Sequence, residues 1–327
     1  MILNWNGRAM LQSCLESLAL QTAADFEIVV VDNGSYDGSA RLVRDRWPDV
    51  RLLALTRNRG FSGGVNAGLH LARGEYLVLL NNDAVAAPDF VANLVAPLRA
   101  DRSLGATAAV MTFAHQPNLV ASAGIRFHRD GVALDDRMLQ PVADLPHAPV
   151  PAWGASGGAV AYRRAALDDV GSFDEGYFAY LEDVDLAWRL RLRGWATLLS
   201  PAAQVQHIYS ATGGEGSPLK DWLVARNRWR VIWRCVPTPL LRRDWPLMLQ
   251  YDLLACAQAA VRGRWTTVTG RIAALQQRQT LAAQRRQIQA GSSAALAALD
   301  RWLLPARPPW AIWREAQALG AVLRRRT

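Results

Sequence analysis

The stretch Phe26-Glu27-Ile28-Val29-Val30-Val31, followed by Asp32-Asn33-Gly34-Ser35-Tyr36-Asp37-Gly38-Ser39, decides the fold. A short β-branched run that stops in a Gly/Asn/Asp/Ser cluster reads as a buried strand and its turn. A helical pattern follows to about residue 47, so the unit is strand, turn and helix. The same alternation extends both ways. Upstream, Ile2 and Leu3 open a strand, and Met10, Leu11, Cys14, Leu15 and Leu18 recur at helical spacing. Downstream come a strand over residues 50–55, a glycine-rich loop over 58–64, a helix over 65–72 and a strand over 76–80 that ends in Asn81-Asn82-Asp83. Pro88 marks the start of another helix. Repeated units of this kind predict an α/β fold, a Rossmann-like, mostly parallel sheet flanked by helices. Ligands of such sheets bind at the carboxyl ends of strands, where the polar clusters of this chain fall.

Farther on, residues 115–150 are irregular, with several Pro, Asp and His, and read as a variable loop or hairpin. Residues 165–170 form a short helix. Glu182-Asp183-Val184-Asp185 leads into a second helix, residues 195–199 form a strand, and His207 falls in the loop after it. From residue 219 the pattern is helical with Pro interruptions. The expected organisation is an α/β domain over 1–218 and a helical extension over 219–327.

Charge divides the chain at the same place. Residues 1–219 hold 18 Lys/Arg against 23 Asp/Glu, a net of −5, whereas residues 220–327 hold 19 against 5, a net of +14. The tail also carries 8 of the 13 tryptophans. A basic tail suggests an anionic partner, either nucleic acid or lipid headgroups. Apolar residues make up 51% of the chain, enough for a sizeable core. Three widely spaced cysteines, Cys14, Cys235 and Cys256, give no disulfide framework and fit a reducing compartment. No run of about 18 uncharged apolar residues predicts a transmembrane helix. The start lacks a basic leader and a long apolar stretch, so a cytoplasmic catalytic part is expected.

Three constellations can carry chemistry. Asp32, at the end of a buried strand, could accept the imide N–H of a pyrimidine ring; the alternative is a turn in which Asp37 or Ser39 caps the next helix. Asp83, also at a strand end, could hold a divalent cation against a diphosphate, because hard cations want oxygen ligands; the alternative is a polar turn. The acids Glu182, Asp183 and Asp185 repel one another within four residues. One could act as a general base at an acceptor hydroxyl, or together they could favour the helix dipole. Spacing alone does not choose among them. A lone histidine such as His207 is usually not a ligand.

In order and spacing these pieces resemble the family-2 glycosyltransferases of the glycosyltransferase A fold, in particular their rhamnosyltransferase and galactofuranosyltransferase branch. The resemblance rests on Asn4-Trp5-Asn6-Gly7, residues 31–39, Asn58-Arg59-Gly60-Phe61-Ser62-Gly63-Gly64-Val65-Asn66, Leu80-Asn81-Asn82-Asp83, Trp153-Gly154-Ala155-Ser156-Gly157-Gly158, Phe173-Asp174-Glu175, residues 180–186 and His207. It covers roughly residues 1–235. It implies that Asn4, Asp32, Asn33, Gly34, Ser35, Asn58, Gly60, Gly64, Asn66, Asn81, Asn82 and Asp83 form the nucleotide-sugar side, with Asp32 at the base. Asp83 would be the metal ligand at the position of the family's Asp-X-Asp motif, joined by His207. The cofactor would be manganese or magnesium. Asp183 would be the catalytic base, with Trp153, Gly157, Gly158 and Glu182 on the acceptor side. The implied reaction is an inverting, metal-dependent transfer, possible for L-rhamnose, from a nucleoside-diphosphate sugar to an acceptor hydroxyl of a cell-surface glycan or lipid-linked precursor. The sequence departs from the family where only Met1, Ile2 and Leu3 precede Asn4, which shortens the first strand, and where Val65 replaces a frequent Arg.

In the tail, Trp222, Ala225, Trp229, Ile232, Trp233 and Val236 share a helical face flanked by Arg226, Arg228, Arg230 and Arg234. The helix lies in an anionic membrane interface, or packs on the body with its arginines solvated, or packs on the body and still touches lipid. The first choice would make the enzyme peripheral on the inner face of the cell membrane. Two other functions compete. A nucleotidyltransferase would carry a Gly-rich phosphate loop near its start, where this chain has Asn4-Trp5-Asn6-Gly7. A nucleic-acid-binding protein would use the +14 tail, which offers no zinc, helix-turn-helix or RNA-binding motif, so no nucleic-acid partner is expected.

Overall fold

A computed structural model describes residues 1–208 and 217–324. The chain runs β1 (Ile2–Asn4), α1 (Arg8–Ala19), β2 (Val29–Asp32), α2 (Ser39–Arg46), β3 (Arg51–Ala54), α3 (Gly60–Leu69), β4 (Tyr76–Asn81), β5 (Ala84–Ala86) and α4 (Phe90–Ala100). It continues through β6 (Leu104–Phe113), β7 (Gln116–Ser122), β8 (Ile125–His128), β9 (Ala133–Asp135), β10 (Val150–Pro151), β11 (Ala159–Arg163), α5 (Arg164–Val170), α6 (Glu182–Leu192) and β12 (Ala196–His207). The tail holds α7 (Pro218–Cys235), α8 (Thr238–Val261), α9 (Thr266–Gln276), α10 (Arg278–Ala290), α11 (Leu296–Asp300), β13 (Leu303–Leu304) and α12 (Pro309–Arg324).

The large sheet has the order β10-β12-β6-β11-β4-β1-β2-β3, with β5 on β12 and β7 on β6. β4, β1, β2 and β3 are mutually parallel, as is the β6–β12 pair, while β11 runs antiparallel to both its neighbours. The sheet buries both faces. Along β4, Leu80 joins one core with Ile2, Leu11, Phe90 and Leu94, and Leu77 and Leu79 join a second with Val160, Tyr162, Leu186 and Leu190. The alternation follows from successive strand side chains pointing to opposite faces.

Several expectations change. The glycine-rich segment is not a loop throughout: α3 begins at Gly60, and a Cβ on Gly64 would collide with Leu3 of β1. The glycines let this helix press against the sheet. The irregular region after residue 115 forms the short strands β7 to β10. The strand expected over 195–199 runs on to His207, because its second half pairs with both β6 and β5.

The tail is not an independent layer. Val231, Cys235, Leu240, Leu299 and Leu303 share a core with Tyr177, Val184, Ala187 and Trp188, and β13 adds a strand to β8 and β9. One core thus spans residues on both sides of the 218/219 boundary, while Trp229, Ile232, Met248 and Ala274 form a smaller cluster within the tail. Neither placement expected for the arginines of α7, solvated or lipid-facing, holds. Arg226, Arg228, Arg230 and Arg234 are buried, 5–8% exposed, and pair inward with Asp174, Asp185, Asp252 and backbone carbonyls. Burying a guanidinium is tolerable only with such partners. α7 is thus an internal strut, and the expected lipid-facing role does not fall to it.

Candidate active site

Three central strands end side by side. The register places Asn4 opposite Asp32 and Leu3 opposite Asn81, so β1, β2 and β4 present polar residues at one edge. Asn4, fully buried, donates to Asp32 Oδ1 at 3.2 Å and to Ser35 Oγ at 3.3 Å, and accepts from Asn82 Nδ2 at 2.8 Å. The second oxygen of Asp32 accepts from the Ser35 N–H at 3.2 Å. Gly34 adopts φ +77°, and a Cβ there would lie 2.7 Å from the Arg57 backbone, so only glycine fits.

Asn33 ties this turn to the next loop. Its amide donates to Asn58 Oδ1 at 2.9 Å and to the Gly60 carbonyl at 3.0 Å, and its oxygen accepts from the Arg59 N–H at 2.9 Å. Asn33 and Asn58 therefore shape the crevice wall. Asn66, also expected on the donor side, has its side chain engaged by the protein itself. Both ends of its carboxamide bind the Phe173 backbone, at 2.8 and 3.1 Å, so it fastens α3 to the loop before α6.

His207 reaches the crevice through strand pairing. It lies opposite Ala84 of β5, the residue after Asp83. Its Nε2 stands 3.0 Å from Asp83 Oδ1 and 3.3 Å from Asn81 Nδ2. Among the described residues no group of three or more His, Cys, Asp or Glu gathers to hold a metal ion. Asp83 and His207 nevertheless suit a divalent cation. An imidazole nitrogen and a carboxylate oxygen stand 3.0 Å apart, a donor pair of the kind that would hold such an ion with diphosphate and water in the remaining positions.

The three acids open α6 and divide by environment. Asp185 is fully buried among Arg189 (2.8 Å), Arg234 (3.0 Å), Tyr177 Oη (3.0 Å) and Cys235. Burial pushes its carboxyl up, but Arg234 and Arg189 outweigh burial and hold it down to about 2. Glu182 is buried with no hydrogen-bond partner on Oε2. Desolvation, and then the Asp183 charge, push it well above the carboxylate range. Asp183 is only partly covered. It accepts from the Gly157 N–H at 2.9 Å through Oδ2 and from the Val184 N–H at 2.8 Å through Oδ1. Burial raises it despite those two bonds. Burial thus disfavours charge on both carboxyls, and more strongly on Glu182, which lacks the two backbone N–H donors that Asp183 has.

A hydrogen-bonded path joins the two halves of the site. Asp183 is held by Gly157, the neighbouring Gly158 carbonyl accepts from the Asn81 N–H at 2.9 Å, and the Asn81 side chain meets His207, which in turn pairs with Asp83. A Cβ on Gly158 would lie 2.9 Å from Met111 Sδ, so a side chain there would have to displace Met111. Trp153, expected on the acceptor side, is 4% exposed, stacked on Phe127 at 5.3 Å and edge-on to Trp188 at 5.6 Å.

Sequence reasoning missed two features. Asp135, on β9, lies close enough to sense the charges of Asp183, His207 and Lys220, and burial is the main cause that raises it to about 6. It fell in the segment read as variable. The other is the brace on the loop before α6. Phe178, Tyr180 and Leu181 have φ of +66°, +70° and +66°. Such backbone costs about 1–3 kcal/mol per residue and persists only where its surroundings impose it. Asn227 of α7 imposes it: its amide donates to the carbonyls of Tyr177, Ala179 and Tyr180 at 3.1, 2.8 and 2.7 Å, while Arg226 holds those of Gly176 and Tyr177. No local pattern reveals an asparagine that acts across about fifty residues.

The sequence profile of glycosyl transferase family 2 matches residues 1–171. The N-acetylglucosaminyl-diphospho-decaprenol L-rhamnosyltransferase of Mycobacterium tuberculosis is 30% identical over 224 residues, 60% of this chain and 71% of that protein. Succinoglycan biosynthesis protein ExoO of Rhizobium meliloti is 35% identical over 155 residues, 46% of this chain and 39% of that one. Among solved structures, GalNAc-T7 with UDP, GalNAc and Mn2+ superposes with a TM-score of 0.60 at 21% identity, over 71% of this chain and 47% of that chain. Mannosyltransferase PcManGT from Pyrobaculum calidifontis, in complex with GDP-Man and Mn2+, gives 0.51 at 19% identity, over 89% and 84%. At those identities the structural likeness speaks for the fold alone. A mixed sheet with a polar crevice at its strand ends, together with these relatives, defines an enzyme that transfers sugars. The chain belongs to glycosyl transferase family 2. Asp183 and His207 lie outside the matched residues 1–171, so their place in the site rests on the geometry above.

Proposed function

We propose that this glycosyltransferase moves a sugar, L-rhamnose by likeness to the mycobacterial relative, from a nucleoside diphosphate to a hydroxyl of a lipid-linked precursor of a cell-surface glycan, with inversion at the anomeric carbon. The observation that carries the proposal is the path from Asp183 through Gly157-Gly158 and Asn81 to His207 and Asp83. It sets a carboxylate base beside a candidate diphosphate site.

Asp32, with Asn4 and Ser35 fixing its oxygens, would meet the pyrimidine. Asp83 and His207 would hold manganese or magnesium, which neutralises the diphosphate leaving group when bound. Asp183 would take the acceptor proton as the hydroxyl oxygen attacks the anomeric carbon and the bond to the diphosphate breaks. Burial raises the Asp183 carboxyl from its ordinary value, a direction that suits proton transfer near neutral pH. Burial without a partner on Oε2 disfavours charge on Glu182, and Asp185 is locked to two arginines, so neither is placed to act as a second, nucleophilic carboxylate. That supports a single displacement with inversion.

Incubation with a panel of nucleotide sugars and a polyprenyl-diphosphate-linked acceptor, with and without manganese or magnesium, tests the proposal. Cation-dependent transfer from deoxythymidine-diphosphate rhamnose with inverted configuration, read by NMR, is expected. Transfer with retention, or with no nucleotide sugar at all, overturns it.

A further inference from the structure

With the arginines of α7 turned inward, α8 carries the largest group of exposed apolar side chains among the described helices of the tail. Trp245, Leu249 and Leu253 recur every four residues along α8 and are 44%, 40% and 64% exposed, and Leu254 and Val261, 50% and 89% exposed, extend this apolar side farther round the helix. Single exposed apolar side chains are ordinary, but a continuous helical face of them marks an interaction site. The acids of α8 do not interrupt it. Asp244 and Asp252 are buried, and pair with Arg243 and with Arg228 and Arg271.

Charge identifies the occupant. From Leu253 to Leu299 the chain contains no Asp or Glu but six arginines. Exposed Arg242 and Arg262 flank the two ends of the apolar stripe. A second copy of this chain, docked face to face, would set arginines against arginines with no carboxylate between them. A lipid surface offers the complementary set, anionic headgroups for the flanking guanidiniums and an acyl boundary for the stripe. Trp245 and Trp265, 61% exposed just past α8, suit the headgroup level. No helix among the described residues is long and apolar enough to cross a membrane, so α8 would lie flat.

We infer that α8 docks the enzyme on an anionic membrane, its Trp245–Val261 face in the interface and Arg242 and Arg262 at the headgroups. Met248, on the inner side of α8, packs with Trp229 and Ile232 of α7, the helix whose Asn227 braces the loop before Asp183. Docking therefore ties the membrane plane to the catalytic loop. That use of the surface rests on the proposed lipid-linked acceptor; the binding itself does not.

Flotation of the full chain with phosphatidylcholine vesicles, and with phosphatidylcholine–phosphatidylglycerol vesicles, tests the inference. The parent should bind the anionic vesicles preferentially and be released in part by high salt, which screens exposed charge. The double variant Leu253→Glu/Val261→Glu should bind roughly tenfold or more weakly, since it removes two apolar side chains from the interface. Arg242→Gln/Arg262→Gln should lose the anionic preference alone. Both variants should still hydrolyse donor like the parent, because neither touches the crevice. Parent-like vesicle binding by the glutamate variant overturns the inference, as does a parent that ignores vesicles or a parent dimer that the glutamate variant splits. Vesicle binding by a parent that uses no lipid-linked acceptor leaves α8 docking intact and overturns the acceptor proposal instead.

Discussion

The side-chain amide of Asn227 lies 2.7 Å from the carbonyl of Tyr180, two residues before Glu182. Through this bond and its two companions, a helix of the basic tail holds three left-handed residues in place in front of the acids of α6. Asn227→Ala leaves those carbonyls without their donor, a loss of about 1–3 kcal/mol. Asn227→Asp keeps the shape but cannot donate. Both should lower kcat by roughly tenfold to a hundredfold, because the base moves relative to the acceptor, while donor affinity stays put. Equal loss of donor binding and turnover would reduce Asn227 to a folding residue.

Asp183 and Asp185 are two residues apart and should respond in opposite ways. Asp183→Asn should keep its melting temperature and donor affinity but lose transfer by roughly a hundredfold or more. Asp185→Asn should lose about 3–5 kcal/mol of stability by stripping Arg189 and Arg234 of their buried partner. The Asp185 carboxyl is held at about 2, below its ordinary 3.8. Its contribution is therefore full above pH 4 and fades as pH falls toward 2. Normal turnover by Asp183→Asn beside a folded, inactive Asp185→Asn would reverse the assignment.

Asp83 and His207 supply two protein ligands at most. Chelator should abolish transfer, and manganese or magnesium should restore it. Asp83→Ala should lose metal-dependent donor binding. His207→Ala should weaken it by at least roughly tenfold and favour magnesium, since imidazole suits manganese better. Calorimetric titration of donor with each metal decides. Parent-like manganese affinity in His207→Ala would confine the site to Asp83.

Asp135 gives a pH signature. Its folded carboxyl sits at about 6, against an ordinary 3.8. A raised carboxyl costs stability once ionised, so the cost is absent below about pH 4 and complete above pH 6. Without added cation, Asp135→Asn should melt higher than the parent at pH 7.5 and like it at pH 4. Identical melting curves at both values would remove Asp135 from the buried charges of the site.

The sequence determined the α/β alternation, the strand-end positions of Asp32 and Asp83 and the family. These are local: a β-branched run, its turn residues and the next helical period lie within twenty positions of one another. It also set Glu182-Asp183-Val184-Asp185 at a helix start, but it could not rank the acids, because all three share one spacing and one helix dipole. Tertiary structure ranked them by supplying Arg189 and Arg234 to Asp185, two backbone N–H groups to Asp183 and no partner to Glu182 Oε2. It likewise turned α7 inward. The helix is amphipathic by spacing, yet its arginines find Asp174, Asp185 and Asp252, acids set 24 to 60 positions away. Desolvation and charge pairing depend on what the chain brings near from afar, and periodicity carries no record of that.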